Sequence, residues 1–318
     1  MTLSPELNGV TTFFRTRLFP LAVLLIAISL PYQAVSLQNN LADDQREQRI
    51  LQFYELGLLG AFTTNTSESI QEIISDLTEE QDDAIFETII LEAFRETRME
   101  EVILSSIRRS FRNNDLNALN AMTHLMDEGI QQLMGKLYNN QTDFDDPEIV
   151  DQFEDYISRI EVNPDPNQQR IDLVSSILKR SQTTRLTVQT LEDFLTIIVF
   201  TLNQTNPEDE RLTDRQVNDL IISLRSNFRQ LFDNIMLYVS LYSTRDFGLE
   251  LLQQHADFLA TDAGRWFIRT YNNAVLNSFG EVSENVATNL AEWVLAQSVA
   301  EEVDETGSDS PLPSVPEQ

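Results

Sequence analysis

The chain has 318 residues, 22 basic against 51 acidic, a formal net charge of −29 and no cysteine. A field of that sign repels nucleic acid and anionic membrane surfaces and favours cations or basic partners only diffusely. The lack of thiols excludes disulfides and thiolate metal sites, and the length is ample to bury a core without such staples.

Arg15 and Arg17 precede the apolar run Leu18 to Leu30, interrupted only by Pro20 and Ser29. A membrane-spanning helix needs roughly 20 apolar residues, and this run is shorter. A charged start, a short apolar run and small residues beyond it make the pattern of a secretory signal. Ala34 and Ser36 suit the positions before the cut, so residues 1–36 are expected to be a signal peptide cleaved between Ser36 and Leu37. That implies export, with the periplasm as destination and no stable membrane span after cleavage; an uncleaved anchor is the alternative. Cleavage leaves 20 basic and 50 acidic residues, a net charge of −30, which reads first as a solubility or salt-adaptation feature.

From Leu37 to Ala300 proline occurs only at Pro147, Pro164, Pro166 and Pro207. Few breakers and apolar stripes at spacings of three and four predict an all-α fold. The first helix is expected over Asp43 to Leu59, with Ile50, Phe53, Leu56 and Leu59 on one side. A short helix from Ser67 follows. Thr78-Glu79-Glu80-Gln81 has the form of a capping box. It would open one long helix whose stripe runs from Ile85 through Ile89, Phe94, Val102, Ile103 and Ile107 to Phe111. Arg108, Arg109 and Arg112 suit its C-terminus. After Asn113-Asn114 a single helix carries Leu116 to Leu137. Asn139 to Asp146 is a polar loop, and Pro147 suits the first turn of a helix to Glu161.

Asn163-Pro164-Asp165-Pro166-Asn167 stops any helix and divides the chain into a first half, 37–162, and a second, 163–300. Helices are predicted at 168–181 and 187–203. Thr213-Asp214-Arg215-Gln216 forms a second capping box, opening a helix to Tyr242. Another spans Thr244 to Ala260, and the last spans Asp262 to Ala300. The acidic, Ser- and Pro-containing tail 301–318 is expected to be disordered.

The two boxes, at Thr78 and Thr213, are 135 residues apart. The same offset carries Asp127 and Gly129 onto Asp262 and Gly264, Ile85 onto Leu220 and Leu116 onto Leu251. Gln48-Arg49-Ile50 matches Gln169-Arg170-Ile171 at an offset of 121. The expectation is two tandem, related helical-bundle halves packed into one body. The segment Phe258-Leu259-x-Thr261-x-x-Gly264, which opens the last helix, resembles an exported bacterial all-helical family classed as a domain of unknown function. Asp262 stands where that family's pattern has Pro. The resemblance implies a signal peptide and paired helices and carries over no catalytic residue. Leu125-Met126-Asp127-Glu128-Gly129 echoes it, as a second, degenerate copy.

Thr261 or Asp262 suits an N-cap. Gly264 has no helix-propensity reason to sit in a first turn, but it permits a close backbone approach. Phe258, Thr261, Asp262, Gly264, Trp266 and Tyr271 therefore form the candidate structural corner or ligand groove, where free N–H groups at a helix start would be the functional use. Trp266 and Trp293 project to roughly opposite sides of one helix, one toward the core and the other toward a partner or groove.

No residue is assigned to catalysis, to a metal or to a cofactor. His124 and His255 lack a convergent ligand set and are expected at the surface or in caps. The lysines are only Lys136 and Lys179. There is no Gly-rich phosphate loop and no nucleophile elbow. Acidic pairs such as Asp82-Asp83 read as solvated faces, and Asp143, Asp145, Asp146 and Glu148 lack the EF-hand pattern. The leading expectation is a non-enzymatic interaction or envelope-maintenance protein with an envelope-protein partner. The alternatives are a binding module for an apolar or amphiphilic ligand between helices and, third, a helical cell-wall glycosidase.

Overall fold

A computed structural model describes residues 43–78, 84–112, 116–138, 146–205 and 211–307. All regular structure among them is helical: α1 (Asp43–Leu56), α2 (Leu59–Thr78), α3 (Ala84–Ala93), α4 (Glu96–Ser110), α5 (Leu116–Leu125), α6 (Glu128–Tyr138), α7 (Pro147–Val162), α8 (Gln168–Ser181), α9 (Thr183–Thr205), α10 (Asp214–Ser243), α11 (Leu249–Ala260) and α12 (Asp262–Gly307). A 3₁₀ turn, Asp165–Asn167, precedes α8. The signal-peptide region, most of the Asn139 to Asp146 loop and residues 308–318 lie outside the described residues.

Several element ends differ from expectation, each for a local reason. The first helix stops at Leu56 because Leu58 turns left-handed, at φ 56°. α2 then begins eight residues before Ser67. Its threonines do not break it: Thr63 and Thr66 donate back to the carbonyls of Gly60 (2.7 Å) and Phe62 (2.8 Å), which satisfies the hydroxyl inside a helix. Thr78 is the last residue of α2 rather than a cap, and Glu79 to Asp83 lie outside the described residues. The long stripe after Ile85 is interrupted at Arg95, which is extended (φ −56°, ψ 136°). No glycine or proline marks that break; Phe94 is buried there against Phe279, ring centres 5.7 Å apart. The helix expected over Leu116 to Leu137 breaks at Asp127, whose carboxylate accepts from the Ile130 N–H at 3.1 Å. The capping box at Thr213 is present in full, with Gln216 accepting from the Thr213 N–H at 2.9 Å. α12 continues through residues 301–307, so the predicted tail starts too early.

α12 is the spine. Its stripe Phe267, Tyr271, Val275, Phe279, Val282, Val286 and Leu290 is buried, each large apolar side chain contributing about 1.5–3 kcal/mol. It packs on α3, α4 and α5 and also on α8, α9 and α11. One apolar cluster runs from Ile50 in α1 to Leu290 in α12. α6 makes the reverse crossing, onto α10 and α11. α7, which precedes the predicted boundary at 163, packs on α10, through Phe153 and Tyr156 against Tyr242.

Within this body α1 touches α2, α4 and α5, as α8 touches α9, α10 and α11. Leu58 and Gln182, both at φ 56°, are the described non-glycine residues with positive φ, and each separates the first two helices of its set. Arg46 of α1 donates to the carbonyls of Arg108 (2.6 Å) and Phe111 (2.9 Å) at the end of α4. Arg170 of α8 donates likewise to Thr244 (2.6 Å) and Phe247 (2.7 Å) beyond α10. Both landmark pairs lie 124 residues apart, not 121. At that spacing burial also agrees: Ile50 with Val174 and Phe53 with Ile177 are all fully buried. At 135 it does not, since Leu116 is 73% exposed while Leu251 is half-buried.

Candidate functional site

The left-handed turn at Gln182 swings α9 away from α8 and brings small polar side chains to the junction. Ser181, Thr183, Thr187 and Thr190 there line a space against α12, joined by Asn65 and Thr66 of α2. Where such short side chains meet the large rings of α12, packing is incomplete. The result is a partly enclosed cavity of about 80 Å³. Its apolar walls are Phe62, Leu186, Phe267, Val275 and Phe279, and Tyr138, Tyr271 and Asn272 complete the polar side.

The polar end is a connected chain of hydrogen bonds. His255 is fully buried and its Nε2 lies 3.0 Å from the Tyr138 hydroxyl. The Tyr138 hydroxyl is also hydrogen-bonded to the Ser181 side chain, whose hydroxyl is 2.5 Å from that of Thr183. His255 makes its contact with Tyr138 through Nε2. Nδ1 has no partner among the described residues. Burial, and then the neighbouring His124, push the His255 imidazole down to about 3. Burial lowers His124 too, against the pull of Asp127. Burial raises both Tyr138 and Tyr271, so both keep their protons near neutrality. The Tyr271 side chain is 95% buried and lines the cavity, and its hydroxyl has no hydrogen-bond partner among the described residues. The Asn65 side-chain carbonyl oxygen is buried and has no hydrogen-bond partner among the described residues. Such groups cost about 1–3 kcal/mol each unless something binds them.

The predicted corner residues are dispersed by the fold. Thr261 is the cap of α12: its hydroxyl accepts from the Gly264 N–H at 3.0 Å and donates to the Phe258 carbonyl at 2.7 Å. The first-turn Gly264 N–H is therefore taken. Asp262 is exposed and pairs with Arg265 at 2.5 Å. A Cβ on Gly264 would lie 2.1 Å from the Phe258 carbonyl oxygen. Phe258 stacks on His124, ring centres 3.7 Å apart. Trp266 meets Phe53 (5.7 Å) and Phe111 (5.2 Å) edge-on. Trp266 and Trp293 are both partly buried against the core, so neither stands clear of it. Of the six residues only Tyr271 reaches the cavity.

His255 corrects the expectation of a surface or cap histidine. A signal was available: it shares one face of α11 with Leu252, Ala256 and Leu259, all buried. The cavity's threonines carried no such signal, since they are scattered polar residues until α2 and α9 are brought together on α12. No group of potential metal ligands exists among the described residues. Glu128, four residues after His124, is exposed at the start of α6. Asp146 caps α7, accepting from the Glu148 N–H at 2.9 Å. Burial holds the Asp193 carboxyl above its ordinary value. No helix among the described residues is long and apolar enough to cross a membrane. Comparison with family models, with curated proteins and with solved structures gave no match.

Proposed function

We propose that this chain is an exported, non-enzymatic binding protein that holds a small amphiphile between its two halves. One observation carries the reading. A cavity of about 80 Å³, contributed by α2 and α6 on one side and α8, α9 and α12 on the other, presents aromatic walls, the Tyr271 ring and Asn65, whose side-chain carbonyl oxygen is buried and has no partner among the described residues. Ligand sites are typically concave, mostly apolar and equipped with a few convergent polar groups. This cavity is smaller than the engineered space of about 150 Å³ that takes benzene, so it suits a short alkyl group rather than a large ring system. The tandem-halves reading is part of the proposal. Its support is the repeated neighbour pattern, the paired left-handed residues Leu58 and Gln182, and the paired arginines Arg46 and Arg170. Export rests on the Arg15 to Ser36 pattern alone.

The test is saturable binding of 1-hexanol, measured as a rise in Tm and by titration calorimetry. The variant Thr187→Phe fills the cavity from α9; it is expected to keep or raise the Tm and to abolish the hexanol response. A wild-type protein with no saturable response, or a filled variant that responds equally, overturns the reading. A second reading, docking to an envelope protein, is favoured by Leu116 (73% exposed) and Leu119 (48%) on α5 and Met126 (55%) in the turn that follows it. Leu119→Glu would leave hexanol binding intact and abolish recovery of that partner from envelope extracts.

A further inference from the structure

The cavity opens beside a second depression. A groove of about 870 Å³ shares Leu186, Ile268 and Asn272 with it, so those three side chains form the sill between the two. The composition of the groove is opposite to that of the chain. Five cations line it (Lys179, Arg180, Arg185, Arg265 and Arg269) and, among the described residues, no carboxylate does, although the chain has 51 acids and 22 bases. A solvated face drawn at random from such a sequence would be acidic.

The five cations are not equivalent. Arg180 and Arg265 donate to the Ala256 and Ala260 carbonyls, closing the C-terminus of α11, and Arg265 also pairs with Asp262. Arg185 contacts the Gln182 side chain at 3.2 Å. Lys179 and Arg269 are exposed and have no hydrogen bond or ion pair with any described residue. Two uncommitted cations, backed by three fixed ones on a strongly anionic protein, concentrate one class of solute. That class is the small anion, with arginine presenting a fork that matches a carboxylate or phosphate.

We infer that the ligand is an amphiphile with one anionic head and a short apolar tail, the head held between Lys179 and Arg269 and the tail passing Ile268 and Leu186 into the cavity beside Tyr271. This rests on the cavity-binding reading above. It adds what that reading leaves open, the charge of the head and the side from which the ligand enters. Ile268 and Asn272 are one turn apart on α12, as are Arg265 and Arg269, so head site and tail site are successive stretches of one helix face.

The experiment compares hexanoate with 1-hexanol at pH 7.5 in low salt by calorimetry, on the wild type, on Thr187→Phe, and on the double variant Lys179→Glu/Arg269→Glu. Hexanoate is expected to bind at least tenfold more tightly than hexanol, and to weaken as salt is raised. The double variant should lose that tenfold ratio yet keep its hexanol affinity, which also shows that it is folded. Thr187→Phe should lose both ligands. Inorganic phosphate alone should compete only weakly, because it lacks the tail. Equal affinity for hexanoate and hexanol overturns the inference and leaves the cavity reading standing; no binding of either overturns both. Hexanoate binding that survives Thr187→Phe makes the groove a free-anion site and overturns the amphiphile. Binding to phosphatidylglycerol vesicles without binding of monomeric hexanoate makes it a membrane-docking surface, and overturns it as well.

Discussion

The corner at Asp127 and the corner at Thr261 use the same local device in different surroundings. In each a side-chain oxygen accepts from the N–H three residues on, Ile130 at 3.1 Å and Gly264 at 3.0 Å. The caps are 134 residues apart, whereas the Asp-x-Gly motifs are 135 apart, so the glycines fall at different positions of their first turns. Gly129 is tight only against side chains: a Cβ there would be 3.1 Å from the Asp127 carboxylate and 3.3 Å from Leu251, which would each have to give by a few tenths of an ångström. Gly264 has no such relief, because its neighbours within 2.8 Å are backbone atoms of Phe258 and Leu259. The lesson is that a shared motif fixes a shared turn, not a shared load.

The sharpest way to break the comparison is alanine at each glycine. Gly264→Ala is expected to cost about 3 kcal/mol, since overpacking against backbone cannot relax by a rotamer change. Gly129→Ala should fall within about 1 kcal/mol of wild type, helped by the helix propensity of alanine. Urea unfolding of the two variants decides it; equal costs would mean that the two corners are packed alike.

The histidines beside the corners make a second contrast. The folded-state value of His255 is depressed, to about 3, while an unfolded histidine titrates near 6.5. Its contribution is therefore present in full above pH 6.5 and is lost as pH falls toward 3, amounting to about 2 kcal/mol by pH 5. Comparing the pH profile of His255→Gln with that of the wild type isolates this part of the acid sensitivity. Glutamine does not titrate, so the variant's profile should be flatter than the wild type's below pH 6.5, and the gap between the two should change by about 2 kcal/mol by pH 5. His124 is only half-buried and also lowered, so His124→Gln should change the profile less. The smallest effect concerns the caps themselves. Thr261→Ala and Asp127→Ala should each cost about 1 kcal/mol, and near-equal values in chemical unfolding would sharpen the view that the device is common and the load is not.

Much of the fold was legible. The Thr213 box, the Pro147 start, the stop at Asn163 and the stripe from Phe267 to Leu290 all follow from local chemistry, and the helices they predict exist. The breaks at Leu58 and Arg95 were not legible, because neither carries glycine or proline at the turning residue; contacts with distant helices set them. The site was legible only at Tyr271. Its other half, Asn65 and Thr66, lies 205 or more residues away in the chain.

What the sequence by itself determined is the all-helical class, the starts of α1, α5, α7, α8, α10 and α12 and the burial of one face of α12, since caps and 3.6-residue periodicity act within a few residues. Only the tertiary structure decided where packing is incomplete, which histidine is buried, and that five scattered cations share one groove. Those depend on which helix faces meet, and a pattern along one chain carries no information about the face it will be pressed against.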